Sequence, residues 1–386
     1  MNEESGYTSI GCLIHTLQLV VKDEIMEFPA VKEALERGRK ICSFANKSNV
    51  FCAELRKQQK LQLFSDETLL LIQDVPTRWN STYDMVERLL ELKPAIISSM
   101  ANTNHELVEL TKTNWNYLEK VKNVLQVFKE STEMLSLTNA SMSQAIPIVT
   151  LIMKTLKTTL ADHGVKNLKT ALKNGMEHRF GNIEHHESYA LATFLDPRFK
   201  GFLFQDPNCA LEAKEKIAQK LEEMLTDDPS FHDNMEENVQ ASMNTEDESE
   251  SSMNMEFGSP KPKRKRSILA DTMEAIKKRA IYEQQNSPKT EVYTFLEHYS
   301  NSKTMEESSD VFAYWKSMSE STKPIERVAA KLAAYYLTPP PTSVDVERLF
   351  STAGDIITNE RNRLLPENAS KILFLRENLP HVNFDY

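Results

Sequence analysis

A mainly helical protein is predicted by three features of the chain. Only 9 glycines occur in 386 residues. Leu, Lys, Glu, Met and Ala are frequent, and apolar residues recur at three- and four-residue spacing through most of the sequence. Glycine in a helix interior costs roughly 0.5–1 kcal/mol relative to alanine, so a glycine-poor chain suits helices. The same scarcity argues against phosphate-binding α/β folds and glycine-rich sandwiches. Hydrophobic residues make up 40% and charged residues 26%, which supports a buried core. The length leaves room for two or three domains, or one domain with a large insertion.

The elements follow from the N-terminus. Leu13, Leu17, Val20 and Val21 share a helical face, and Val31, Leu35, Ile41, Phe44 and Ala45 continue the pattern, so residues 10–61 read as helices. Residues Thr68 to Val75 are a short apolar run halted by Pro76, a length and boundary that fit a strand better than a helix. The turn Thr77-Arg78-Trp79-Asn80-Ser81 comes next. Ser81 or Thr82 then caps a helix carrying Tyr83, Val86, Leu89 and Leu90.

From Thr111 to Leu225 three apolar stripes mark an all-helical block: Trp115, Leu118, Val121, Leu125 and Phe128; Val149, Ile152, Met153, Leu156 and Leu160; and Leu211, Ile217, Ala218, Leu221 and Leu225. Lys214 interrupts the last of these, and the turn Leu195-Asp196-Pro197-Arg198-Phe199-Lys200 breaks the series. Further helices are expected over Ile268–Tyr282 and Val292–Tyr299. A C-terminal module begins near Val311 with Trp315, then Val328, Leu332, Ala333 and Tyr336. After the triplet Pro339-Pro340-Pro341, Thr342 is expected to cap a helix, with Asp345 completing a capping box. Gly354 is expected to end that helix in a left-handed turn, and Val344, Leu349, Phe350 and Ala353 are expected to face the core.

The net charge of −10 is unevenly spread. Residues 226–259 hold ten Asp/Glu and no Lys/Arg, and Lys261, Lys263, Arg264, Lys265 and Arg266 then form a basic cluster. The acidic stretch has too few core-forming residues to fold alone. The exposed, proline-flanked cluster reads as a nuclear import signal. An acidic body gives no general attraction to DNA, although local basic clusters still can. The four cysteines lack the spacing of a disulfide framework, as expected for reduced thiols. The start Met1-Asn2-Glu3-Glu4 is acidic where a secretory signal is basic, and no apolar run reaches the ~20 residues of a membrane span.

Four candidate sites carry chemistry. Glu347 is either a metal ligand or a solvated charge on a packing helix. Arg78 and Trp79 either grip a phosphate and stack on an unpaired base, or Trp79 fills the core. Cys12 and His15, three apart, share a helix face, but zinc needs four ligands and no second pair is evident, so a buried thiol and a hydrogen-bonded imidazole are expected. No metal or cofactor is assigned. The fourth site is the basic cluster at 261–266.

Together these pieces resemble the hAT superfamily of cut-and-paste DNA transposases and the BED zinc-finger proteins domesticated from it. The resemblance lies in Cys12-x-x-His15 with Thr16-Leu17-Gln18-Leu19-Val20-Val21, in Thr77-Arg78-Trp79-Asn80-Ser81-Thr82, in Leu195-Asp196-Pro197-Arg198-Phe199-Lys200, and above all in residues 342–366. It implies an RNase H-like core interrupted by a large all-α insertion, of which this chain holds the last strand and the C-terminal helices. The implied layout is a core remnant at 1–81, an insertion at 82–225, a disordered acidic-then-basic linker at 226–267, the end of the insertion at 268–309, and the hAT dimerisation region with returning core helices at 310–386.

In that family two aspartates and a glutamate hold two divalent metals. Glu347 matches the glutamate, and Arg78 and Trp79 match the pair that handles a flipped base. Both family aspartates precede the Cys-x-x-His motif, and residues 1–11 contain none, so the chain is expected not to be an enzyme. The implied function is that of a catalytically inactive nuclear protein that dimerises with itself or a related hAT-derived protein. Val344, Leu349, Phe350, Ile372, Leu373 and Phe374 would form the contact. DNA or chromatin association is implied as well, with no membrane or small-molecule substrate. Two alternatives stay open: an N-terminally truncated form of an active hAT transposase, and a BED-finger-type DNA-binding transcription regulator.

Overall fold

The computed structural model describes residues 11–26, 28–63, 67–75, 78–103, 110–158, 166–229, 277, 287–357 and 364–382. Among these the chain is helical, with no strand. The mainly α prediction holds. No helix among the described residues is long and apolar enough to cross a membrane. Apart from residue 277, which is helical, the expected 268–282 helix lies outside the described residues, as does the basic cluster at 261–266.

The chain forms two compact units, residues 1–182 with 340–386, and residues 183–339. In the first, α1 (Leu13–Met26), α2 (Pro29–Lys47) and α3 (Asn49–Leu63) are followed by α4 (Trp79–Glu91), α5 (Lys93–Thr103), α6 (Lys112–Leu135), α7 (Ala145–Thr158) and α8 (Lys166–Phe180). Helix α6 packs on α2 and α4, α3 on α5, and α8 on α1 and α7. The boundary of α6 is sharp because Thr111 and Asn114 form a reciprocal capping box. Gly38 eases the close approach of α2 to α4, since a Cβ there would sit 2.8 Å from Leu89 Cδ1 and displace that side chain. The C-terminal helices of this unit are α14 (Val344–Ile356) and α15 (Pro366–Asn378), which pack on each other.

The second unit contains α9 (Glu187–Leu195), α10 (Pro207–Thr226), α11 (Pro288–Asn301), α12 (Val311–Ser319) and α13 (Pro324–Leu337). Helix α10 packs on α9, α11 and α13. Side-chain oxygens of Asp206, Ser287 and Asp310 cap α10, α11 and α12, and proline opens α10 and α11. Leu211 is exposed, whereas Ile217, Ala218, Leu221 and Leu225 are buried. Lys214 reaches Glu297 on α11 at 2.6 Å, so it breaks the apolar stripe to make an ion pair.

Two expectations from sequence need correction. The run at 69–75 forms no strand and belongs to no sheet. Its main chain is served by side chains instead: Gln59 both donates to the Leu69 carbonyl (2.9 Å) and accepts from its N–H (2.8 Å). Arg88 Nη1 donates to the Leu70 carbonyl at 2.7 Å. A short apolar run reads as a strand because periodicity cannot show which partner satisfies its backbone. The compact units also cut across the layout drawn from sequence. Trp79, Tyr83, Val86 and Leu89 are buried where α4 meets α1, α2 and α6, so residues 82–182 share a core with the first helices. Residues 311–337 belong instead with α9 and α10.

The second unit is gathered around the turn at 195–200. Asp196, fully buried, takes a two-point pair from Arg198 (3.0 and 2.7 Å). Trp315 Nε1 donates to the Leu195 carbonyl at 3.0 Å, and the Tyr299 hydroxyl donates to the Phe194 carbonyl at 3.2 Å. Lys200 is buried with φ 49°, and its Nζ donates to the carbonyls of Tyr299 (2.7 Å) and Ser302 (2.6 Å) and to the Ser302 hydroxyl (2.8 Å). It closes the C-terminus of α11, where carbonyls lack helical partners and a cation is favoured. Burial pushes the Lys200 ammonium down from its ordinary value. Lys200→Met takes the ammonium from both carbonyls and leaves that of Tyr299 with the Ser302 hydroxyl alone, so it should destabilise this unit by about 2 kcal/mol. Hydrogen exchange should accelerate in α11 and α12; unchanged protection there would contradict the assigned role.

Candidate functional site

The C-terminal arm is attached to the first unit by the ends of other helices. The first N–H groups and last carbonyls of a helix have no partner within it. Here the segment before α14 meets that need for both α1 and α6. The Leu13 N–H, at the start of α1, donates to the Pro341 carbonyl at 3.1 Å. The Ser343 N–H donates to Cys12 Sγ at 3.4 Å. At the end of α6, buried Thr342 donates to the Leu135 carbonyl at 3.5 Å, and Arg348 Nη2 donates to the Ser136 carbonyl at 2.7 Å. The other Arg348 nitrogen pairs with Asp345 at 3.0 Å.

These contacts change how the motif reads. Helix α14 begins at Val344 with Ser343 as its N-cap and no side-chain cap bond. The expected Thr342–Asp345 capping box is not formed, because Thr342 turns to α6 and Asp345 to Arg348. Gly354 lies inside α14, which runs on to Ile356, so it is not the expected stop. Glu347 is exposed and accepts from the Ser343 hydroxyl at 3.0 Å. No group of three or more His, Cys, Asp or Glu able to hold a metal occurs among the described residues.

The apolar residues of the arm divide into inward and outward sets. Ile356 and Ala369 are buried; Val344, Leu349, Ala353 and Leu373 are half-buried. Phe350 is 71% exposed and Phe374 66%, and Val346, Ile357, Leu365, Ile372 and Leu375 are exposed with them. Phe350 therefore does not face the core as expected. Sequence reasoning missed Val346, Ile357, Leu365 and Leu375. Val346, Phe350, Ala353 and Ile357 stand at i, i+4, i+7 and i+11, a second helical stripe that was there to be found.

Trp79 and Arg78 are separated by environment. Trp79 is 7% exposed and its ring meets Phe128 edge-on, with centroids 6.4 Å apart. In this structure it is a core residue, so it is not placed to stack on a base. Arg78 is exposed at the N-cap of α4. Neither Ser81 nor Thr82 caps that helix. The Ser81 hydroxyl accepts from the Val75 N–H and lies within bonding distance of the Val75 and Arg78 carbonyls. Thr82 donates to Asp74 at 2.9 Å. The motif of Cys12 and His15 is likewise split, with Cys12 engaged by Ser343 and His15 exposed.

Asp74 is the best-anchored carboxylate of the first unit. Its side chain is fully buried and takes Arg39 Nε (2.9 Å) and Nη2 (2.8 Å) as well as Thr82. Burial alone pushes its carboxyl up, but hydrogen bonds from Arg39 and Thr82 with the Arg39 charge outweigh that and hold it below the ordinary value. Burial, aided by the Asp74 charge, pushes the nearby Cys42 thiol up to about 12, which keeps it protonated and unreactive.

A depressed carboxyl stabilises the fold above its unfolded value of about 3.9, and that contribution is lost as pH falls through the lower folded value. Asp74→Asn should therefore cost about 2 kcal/mol at pH 7, and the gap from the unchanged chain should narrow near pH 3. Denaturation midpoints at both pH values test this; an equal gap would contradict it. Arg348→Ala should speed amide exchange in α14 while leaving α2 and α4 unchanged. Undiminished protection of α14 would show that Arg348 does not anchor the arm.

Comparison with known proteins agrees with the positions of these features. Residues 10–124 match the family model described as the ZBED1 RNase-like helical domain, and residues 295–379 match the hAT family C-terminal dimerisation region. Human zinc finger BED domain-containing protein 4 is 28% identical over 386 residues, covering 99% of this chain and 30% of that protein. Human zinc finger BED domain-containing protein 6 is 24% identical, covering 100% of this chain and 39% of that protein. A Zea mays protein named as an AC transposase is 26% identical over 209 residues, or 52% of this chain and 25% of its own length. The chain thus spans between a quarter and two-fifths of these relatives. Both family models match in the order that the chain's own motifs follow, and the chain is similar over nearly its whole length to BED zinc-finger proteins and over half of it to a hAT-type transposase.

Proposed function

We propose that this protein is a non-cutting, transposase-derived assembly protein of the nucleus that pairs with a second copy of itself, or with a related hAT-derived chain, through the outward face of α14 and α15. The observation that carries the reading is the pair of phenylalanines, Phe350 and Phe374, each about two-thirds or more exposed within a region matching a dimerisation model. A large aromatic left in water is costly, and clustered exposed apolar residues mark interaction surfaces. The six residues expected from sequence, Val344, Leu349, Phe350, Ile372, Leu373 and Phe374, all lie on these two helices. Val346, Ile357 and Leu375 extend the surface.

Three carboxylates support the non-cutting part. Glu347 is held by Ser343, Asp74 by Arg39 and Thr82, and Asp23 by Arg179 at 2.6 Å. Each has a local partner in place of a shared metal site. The basic residues Lys261, Lys263, Arg264, Lys265 and Arg266 support nuclear import, and exposed Arg78 supports association with DNA.

Burying a phenylalanine side chain is worth about 1.5–3 kcal/mol. At tens of micromolar the chain should sediment as a dimer, and Phe350→Asp with Phe374→Asp should yield monomers of unchanged helicity. A dimer that survives both substitutions, or a monomer from the start, would sink the pairing.

A further inference from the structure

Away from the C-terminal arm, α2 carries a cleft of about 400 Å³ lined by Arg39, Lys40, Ser43, Asn46, Lys47 and Gln73. Every lining side chain is polar and can donate hydrogen bonds, three are cations, and none is a carboxylate. Lys40 and Lys47 have no carboxylate partner among the described residues. Arg39 sits at the cleft with its Nε and Nη2 committed to the fully buried Asp74, leaving Nη1 uncommitted among the described residues. Asp74 is itself fixed by Thr82, so the guanidinium is held in place before any ligand arrives.

This donor set selects its ligand. Phosphate oxygens are contacted chiefly by Arg and Lys together with Ser, Asn and Gln side chains. The cleft has no apolar side chain on which a protein partner could anchor. Lys40 and Lys47 are two helical turns apart, about 10 Å at 1.5 Å per residue. One strand of a duplex presents roughly three phosphates over that length, at about 3.4 Å of axis each. We propose that the α2 cleft binds the phosphodiester backbone of a nucleic acid, without reading its sequence, as a point of contact separate from Arg78 and the basic cluster. The proposal rests on the DNA association in the reading above and assigns it a surface.

The test is fluorescence anisotropy of the full chain with a labelled mixed-sequence 20-base-pair duplex, at about 50 and 200 mM salt. Lys40→Glu with Lys47→Glu should weaken binding at least about tenfold at the lower salt and reduce the slope of log affinity against log salt by about 2. Lys40→Gln with Lys47→Gln, milder for the fold, should show a smaller loss in the same direction, and circular dichroism checks that helicity is retained. Equal affinity in both variants would overturn the cleft while leaving DNA association standing. No binding by the unchanged chain would overturn both. A loss seen only when Lys263, Arg264, Lys265 and Arg266 are changed to Gln would assign the binding to that segment and overturn the cleft. Equal affinity for a polyglutamate peptide of matched charge would overturn the choice of nucleic acid.

Discussion

Main-chain polar groups outside regular helical bonding need partners, and in this protein side chains supply several of them. Leaving one unmet inside a core costs roughly 1–3 kcal/mol, a large share of any domain's net stability. Gln59 and Arg88 serve the 69–75 run, and Lys200 and Trp315 serve the helix ends of the second unit. Thr342 and Arg348 serve the end of α6, while the Pro341 carbonyl serves the start of α1. Several of these contacts join segments more than 100 positions apart, so satisfying the backbone and fixing the tertiary arrangement are there the same event.

The arm illustrates the consequence for function. Its attachment uses few apolar contacts, since only Ile356 and Ala369 are buried in α14 and α15. Capping contacts position the arm and leave its aromatic residues facing outward. A face fixed in this way would meet the proposed partner already ordered, which lowers the ordering cost of association. The Asp74–Arg39 pair does a comparable job on α2. A buried ion pair adds little net stability because desolvation offsets the attraction, but it sets the direction of a guanidinium, and the unpaired lysines lie on the same helix.

The motifs that carry the family resemblance have structural work to do. In Leu195–Lys200, Asp196 and Arg198 pair with each other and Lys200 closes α11. In Arg78–Thr82, Trp79 fills the core while Ser81 and Thr82 tie the turn to Val75 and Asp74. Cys12 receives the N–H of Ser343. A short polar motif that looks catalytic can persist because removing it would leave backbone groups unmet.

Sequence alone determined the helical class, the stripes on α1, α2, α4 and α6, and the family resemblance, because 3.6-residue periodicity and local motifs are written residue by residue. The six residues it proposed for assembly fall on α14 and α15. It could not decide that 69–75 would stay out of a sheet, that Thr342 would turn to α6 instead of capping α14, or that Phe350 would point outward while Trp79 points inward. Nor could it assemble Arg39, Lys40, Lys47 and Gln73 into one cleft. Those outcomes depend on partners 10 to more than 200 positions away, as with Gln59 and Leu69 or Arg348 and Ser136. Only the packing of helices decides which donor reaches which carbonyl.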